Sequence, residues 1–419
     1  MKRSFVLWGL AIGLLCSVPA LAGDITLKVL VRPDEGGIVQ AYTQKFEAET
    51  GIHVIVDFIG WDKIYEKTIS VLMAGGAGYD VVFIPSANVA AFAATGHFEA
   101  LDDAIPPESR AEWLPAVLDL YTYNDHLIAI PWYSGGAHMV YNAAYLAQAG
   151  VDPAVIETWE DFLDACRKIK SSGVVEYPFI PSAKYPGNYY YNWGTMVYSM
   201  GGALFDEELN PIFNEGAGLK ALEILVQGVK EGLFDPAGVA MDDYETLKAF
   251  QAGQSAFLLD STWSATQATL PGSSNVAADA KIMLIPGSTD HRTGGLLYAG
   301  GFGVMKSSAH KAEAVAYILY LTSKEAQMLH AILGANLPTR TDLFNDPEKA
   351  AINKAWPIYG DLVEQIKYGD FGPVITWLDP VRRVLATAVQ DAMAGRKAPK
   401  AALDWAAKEI LQLRETYGG

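Results

Sequence analysis

The chain has 419 residues, about half of them apolar, and a formal charge of −17. That length exceeds what a single hydrophobic core serves and suits two domains of ordinary size. The acidic residues are scattered and no basic run interrupts them, which disfavours nucleic acid or anionic lipid as a partner and leaves solubility as the simplest meaning of the charge.

Lys2 and Arg3 precede an apolar run from Phe5 to Val18, and Ala20-Leu21-Ala22 supplies the small-x-small pattern of a signal-peptidase site. The run is shorter than the roughly 20 residues of a membrane span, and no later segment is apolar for that long. Residues 1–22 therefore read as a cleaved export signal. The expected mature product is a soluble exported protein of 397 residues with a formal charge of −19, because the signal removes two positive charges. Cys16 raises lipoprotein processing as the alternative, but that signal needs a small residue before the cysteine, and Leu14-Leu15 stand there. Cys166 is then the only cysteine, so no intramolecular disulfide can form.

Ile25, Leu27, Val29 and Val31 alternate as a strand does, and after the turn from Arg32 to Gly37 a helix carries Val39, Tyr42 and Phe46 until Gly51. A second strand spans 52–59 and a second helix runs from about Trp61 to Met73, where Gly75-Gly76 breaks it. Val81-Val82-Phe83-Ile84 reads as a strand buried on both faces. This alternation with short links is the pattern of a doubly wound parallel sheet. Beyond Pro131 the chain becomes rich in aromatic residues and glycine. Helices are expected at 158–172 between a Thr158 cap and Gly173, at 216–231, at 244–251 and from about His310. Strands are expected at 255–259 and 281–285, and Asp379-Pro380 reads as the cap and first residue of a late helix. Cys166 shares a helix face with Phe162 and Ile169 and is expected in the core.

Motifs for chemistry are mostly missing. Neither GxxxxGK[ST] nor a GxGxxG after a strand occurs, and Gly75 to Gly78 precede their strand, so nucleotide use is disfavoured. The seven histidines stand isolated, without HExxH or cysteine partners, so neither a metal nor a cofactor is expected. GxSxG is missing as well. A glycosidase needs only two opposed carboxylates, such as Asp34 with Asp260, and that class stays open. What stands out is the aromatic load of ten Trp, 21 Tyr and 16 Phe, many of them in segments marked by Gly, Pro and Asn rather than in periodic helices. A flat ring beneath and amide, carboxylate or guanidinium groups around the edge suit a sugar, which offers an apolar C–H face and a hydroxyl rim.

The stretch GYDVVFIPSANVAAFAATGHFEALDD at 78–103 resembles the signature segment of the extracellular solute-binding proteins of sugar ABC importers, the maltose-binding-protein-like family. Four further segments agree in order and spacing: LIAIPWYSGGAHMVYN at 127–142, TWEDFLDACRKIK at 158–170, AFQAGQSAFLLDSTW at 249–263 and GGFGVMKSSAHKAEAVAYILYLTSKEAQ at 300–327. The resemblance implies an α/β, two-lobed periplasmic binding protein fold of type II, each lobe a sheet flanked by helices, with the ligand cleft at the hinge. On this chain the first lobe would be 23–132 plus 286–335 and the second 133–285 plus 336–419. The implied role is a periplasmic, non-enzymatic carrier, expected to be a monomer. It would close on a mono- or oligosaccharide and present it to the membrane subunits of an ABC permease.

By the same resemblance, ligand contacts are expected at Asp34 and Glu35, for which a solvated turn is an equal reading, and at Ser86 and Asn88. They are expected also at Trp132, Tyr133 and Ser134 on the first crossing between lobes, at Tyr190 and Trp193, and at Trp263 as a stacking platform. Tyr298, Gly300 and Gly301 resemble a glycine-rich loop at the cleft floor, and Trp377 and Arg382 stand where the family supplies a late Trp or Arg. Trp61 reads equally as a ligand contact or as helix-start packing. An anionic sugar derivative or polyol phosphate is the alternative ligand, with Arg32, Arg340 or Arg382 as counter-charge.

Overall fold

The computed structural model describes residues 25–33, 37–184, 191–334, 336–345 and 347–417, without the side chains of Asp62, Pro107, Glu108 and Tyr191. The expected signal, residues 1–22, lies outside them, as do Asp34, Glu35 and Tyr190. Among the described residues no helix is long and apolar enough to cross a membrane.

Ten strands are found among these residues: β1 (Thr26–Val31), β2 (His53–Phe58), β3 (Val81–Pro85), β4 (Thr122–Tyr123), β5 (His126–Leu127), β6 (Ile130–Asn142), β7 (Phe257–Ser261), β8 (Ala280–Met283), β9 (Gly295–Val304) and β10 (Gly369–Asp370). β4 and β5 form a separate hairpin whose two turn residues, Asn124 and Asp125, both take positive φ, the requirement of a tight hairpin turn. The main sheet runs β2-β1-β3-β9-β6-β7, with β10 beside β9 and β8 beside β6. β1 pairs parallel with β2 and β3, as the alternating elements predict. The sheet is not parallel throughout, however, because β9 inserts antiparallel between β3 and β6. No local pattern announces a strand that returns from some 200 residues away.

The first helix, Ile38–Thr50, ends on Gly51 in the left-handed conformation, and the helix Trp159–Ser172 ends likewise on Gly173. Thr158 caps the latter in a full capping box: its hydroxyl accepts from the Asp161 amide while the Asp161 carboxylate accepts from the Thr158 amide. The late helix departs from expectation. It spans Leu378–Met393 with Trp377 at the cap position, so Asp379 and Pro380 sit inside the first turn. Pro380 has no amide to leave unpaired there.

Three apolar cores hold the molecule. The first gathers buried residues between Leu27 and Tyr133 with Ala299 to Ala326, and the second gathers Ala137 to Leu296 with Ile375 to Ile410. The third joins Val140, Leu247, Phe250 and Leu258 to Ala331, Leu337, Trp356 and Tyr359. Along β6, Tyr133 packs in the first core, Met139 in the second and Val140 in the third, the last two pointing to opposite faces as strand alternation requires. β9 changes core between Leu296 and Ala299. Ile285 and Leu296 thus pack in the second core, so the stretch linking them lies there rather than in the first lobe.

Candidate functional site

In open α/β sheets ligands gather beyond the carboxyl ends of the strands. In the first lobe those ends carry Arg32 after β1, Trp61 after β2 and Ser86 after β3. Arg32 is 1% exposed. Its guanidinium carbon lies 4.6 Å from the Tyr133 ring centroid, 4.9 Å from that of Trp132 and 5.5 Å from that of Trp61. Nη1 donates to the Pro33 carbonyl at 2.6 Å and Nη2 to His330 Nε2 at 3.3 Å. Because arginine can only donate, that His330 nitrogen must be the unprotonated one. Burial, then the Arg32 charge, pushes the His330 pKa well below its usual value, so the ring is neutral. The His330 ring lies flat on Trp132, with centroids 4.4 Å apart and planes at 5°. Tyr133 in turn stacks nearly parallel on Phe83, which Trp61 meets edge-on.

This assembly changes the meaning of several expected contacts. Trp132 and Tyr133 are buried, forming the wall behind the strand ends. Arg32 is an enclosed cation rather than an anion contact. Trp61, 37% exposed, is the ring of the group that reaches solvent. Ser134 is buried and occupied: its Oγ donates to the Pro338 carbonyl at 3.0 Å and its backbone pairs with Leu337. Ser86 Oγ accepts from the Ala299 amide at 3.0 Å, tying β3 to β9, and Asn88 ends the same short turn, largely buried. Gly300 and Gly301 do not form a loop. They are central residues of β9, paired with Pro85 and Ile84 on one side and with Tyr133 and Pro131 on the other. A Cβ on Gly300 would fall 2.5 Å from Phe83 Cε2 and closer still to the Tyr133 ring, which is why glycine stands there. Gly135, opposite Tyr298, makes room in the same way for the half-buried Tyr298 ring.

In the second lobe, β7 pairs with β6 so that His138 faces Asp260 and Ala137 faces Ser261. The helix Thr262–Thr269 starts directly from β7, its first turn capped by Ser261 through the Ser264 amide. Thr262 Oγ1 accepts from the Gly136 amide at 3.0 Å and pairs with His138 Nε2 at 2.9 Å. Strand and helix start are thereby locked together, which fixes Trp263. Trp263 is half-buried, backed by the third core, and meets Tyr244 edge-on at 5.7 Å. Desolvation holds His138 at about 3 and pushes the fully enclosed Asp260 carboxyl well up, with Asp243 adding to the latter. His138 is therefore neutral at ordinary pH, and Asp260, 1% exposed, is shut away from any substrate that a pair of opposed carboxylates would have to flank.

Other expected contacts fall elsewhere. Trp193 is fully buried in the second core, where Nε1 donates to the Gly218 carbonyl at 2.9 Å. Trp377 is buried in the same core, edge-on to Phe205. Arg340 is spent on structure: it pairs with Glu112 and Asp342 and lies 4.8 Å over the Trp113 ring. Arg382, half-buried, sits in the helix Leu378–Met393. His330 and Tyr244 were not singled out by sequence, since neither carries a spacing signal. A separate depression of about 530 Å³, lined by Lys28, Ile55, Asp57, Lys67 and Tyr79, lies by the edge strand β2, away from these strand ends.

A sheet that passes through two cores by way of β6 and β9, with aromatic side chains at the strand ends on both sides, defines the two-lobed periplasmic binding fold. Maltose-bound T. maritima MalE3 matches with a TM-score of 0.84 at 19% identity, covering 93% of this chain and 100% of that one. The chain belongs to the bacterial extracellular solute-binding protein family, whose model matches residues 32–328, as the five ordered segments imply. It is 27% identical to a probable amino-acid ABC transporter periplasmic-binding protein of Sinorhizobium fredii, over 86% of this chain and 82% of the relative. It is 25% identical to a lactose-binding protein of Rhizobium radiobacter, over 94% of this chain and 98% of the relative.

Proposed function

We propose that this chain is the periplasmic, non-catalytic ligand carrier of an ABC importer and that its ligand is a neutral carbohydrate. The observation that carries this reading is the contrast at the strand ends: Trp61, Tyr298 and Trp263 keep part of their rings open while Arg32 and Arg340 are enclosed. Partly open rings, with Arg32 and Arg340 both turned inward, suit the C–H face of a sugar or polyol. An amino acid, a sugar acid or a sugar phosphate needs a counter-charge that Arg32 and Arg340 are not placed to give. Likeness to the lactose-binding relative supports the same class.

The bodies around the first and second cores act as lobes and β6 with β9 as the hinge. A ligand touching both lobes favours the closed form by the difference between its affinities for the two forms. The closed form is what the permease subunits recognise, and one monomer suffices. Residues 1–22 act as the export signal that delivers the chain to the periplasm.

A thermal-shift screen of the chain lacking residues 1–22 tests this against neutral sugars, polyols, sugar acids, sugar phosphates and amino acids. A neutral carbohydrate is expected to raise Tm, with about 2.7 kcal/mol of stabilisation at a hundred times Kd. The ligand should be recovered unchanged, with no new reducing ends. A response confined to amino acids or acidic sugars would overturn the reading.

A further inference from the structure

Trp61 opens the helix Trp61–Met73 just beyond β2, with Gly60 rather than a side chain at the cap. It is among the exposed large apolar residues of the chain, although Phe83, which it meets, and Trp132 and Tyr133, which pack on Phe83, are all buried. Two contacts set its orientation: the Phe83 ring, edge-on at 5.9 Å, and the Arg32 guanidinium, 5.5 Å from its centroid. Arg32 is itself fixed from several sides by the Tyr133 and Trp132 rings, the Pro33 carbonyl and His330. His330 belongs to the helix Lys324–Gly334, so the turn after β1, the strand β6 and a helix some 300 positions away converge on one side chain. A cation enclosed by rings and hydrogen-bond acceptors on several sides is a rigid support for another ring.

We propose that Trp61 is the ligand-stacking ring of the first lobe and that Arg32 is the positioning residue that holds it, without touching the ligand. The inference rests on the carbohydrate reading above and deepens it. The charge of Arg32 acts on the neighbouring rings, so its removal weakens neutral and acidic ligands alike. Lysine at position 32 keeps the charge but loses the flat face, and glutamine loses both.

The test uses the chain lacking residues 1–22, labelled with 6-fluorotryptophan, with the Trp61 resonance assigned by its loss in Trp61→Phe. Lactose, maltose, D-mannitol and D-galacturonate serve as probes. Saturation with a probe that binds is expected to move the Trp61 resonance, and Trp61→Ala to weaken binding about tenfold. Trp61→Phe, which keeps an aromatic face, should lose less and guards against misfolding of the alanine variant. Arg32→Lys is expected to shift or broaden the Trp61 resonance before any probe is added, and to weaken every binding probe by a similar factor. If Trp61 stays silent on saturation and Trp61→Ala binds within about twofold of the parent, the inference is overturned while the carbohydrate reading stands. An Arg32→Lys variant with unchanged resonance and affinity, or an Arg32→Gln variant that loses only D-galacturonate, overturns the positioning role. A parent that binds none of the four and responds in the thermal-shift screen only to amino acids or acidic sugars removes the carbohydrate reading itself and the inference with it.

Discussion

Gly300→Ala puts the aromatic wall to a direct test. The added Cβ would lie 2.5 Å from Phe83 Cε2 and 2.7 Å from Cζ, and nearer still to Tyr133 Cε1. Ordinary contact begins near 3.4 Å. Neither ring has room to retreat, because Phe83 is enclosed by Trp61, Trp132, Tyr133 and Phe302, while Tyr133 is backed by Arg32 and His330. Overpacking of this kind costs about 1–3 kcal/mol. Removing a glycine restricts the unfolded chain and returns about 0.4–1 kcal/mol. The balance is a net loss of up to about 2–2.5 kcal/mol, or roughly 2–4 °C in Tm per kcal/mol for a domain of 150–250 residues. Urea unfolding followed by tryptophan fluorescence reads the loss, and ligand titration reads the tilt transmitted to Tyr133 and Arg32. Gly135→Ala is the control: its Cβ meets one half-buried ring, that of Tyr298, rather than two buried ones, so stability should fall less. A Gly300→Ala protein matching the parent in both stability and affinity would mean that the wall is loosely packed and that glycine at this position has another cause.

Trp193→Ala should cost about 3–5 kcal/mol by emptying a fully buried site, whereas Trp263→Ala should leave the urea midpoint nearer the parent and weaken carbohydrate binding about tenfold; the reverse pattern would exchange their roles. Thr158→Ala removes half of a capping box and should cost about 1 kcal/mol with no change in ligand affinity, as calorimetry and titration of the same sample would show. Asp260 keeps its proton when folded, well above the 3.8 of an ordinary Asp. The unfolded chain sheds that proton as pH rises past 3.8, so this group's contribution is full below that pH and declines above it. Asp260→Asn should therefore flatten the fall in stability between pH 4 and pH 8 and leave the protein more stable than the parent at the upper end. An unchanged slope in urea midpoints would show the native carboxyl to be charged and paired.

Local grammar carried much of the fold. Thr158 with Asp161 and Gly173 states a helix start and stop within sixteen residues, and the alternation before Val31 states a strand, because both depend on neighbours in sequence. The site was less legible because its meaning is set by distant partners. Gly300-Gly301 read as a loop, yet glycine is required there by the rings of Phe83, Tyr133 and Tyr121 packed against a straight strand. Arg32 showed its charge in the sequence but not its enclosure, which comes from Trp132, Tyr133 and His330. The resemblance puts Trp193 and Trp377 in the cleft, yet both fill the second core. Trp263 lies in a segment whose place is set by near neighbours, since β7 and its following helix are adjacent in the chain.

The place of β9 between β3 and β6 also bears on how the molecule is made. β3 and β6 are synthesised early but never touch as partners; what joins them is residues 295–304. Until that stretch has left the ribosome, Phe83 and Trp132 lack Phe302, and two open strand edges stay available to water or to a holding chaperone. The pairing that joins the β1–β3 part of the sheet to β6 therefore waits on residues 295–304, whereas β1, β2 and β3 can pair among themselves before then.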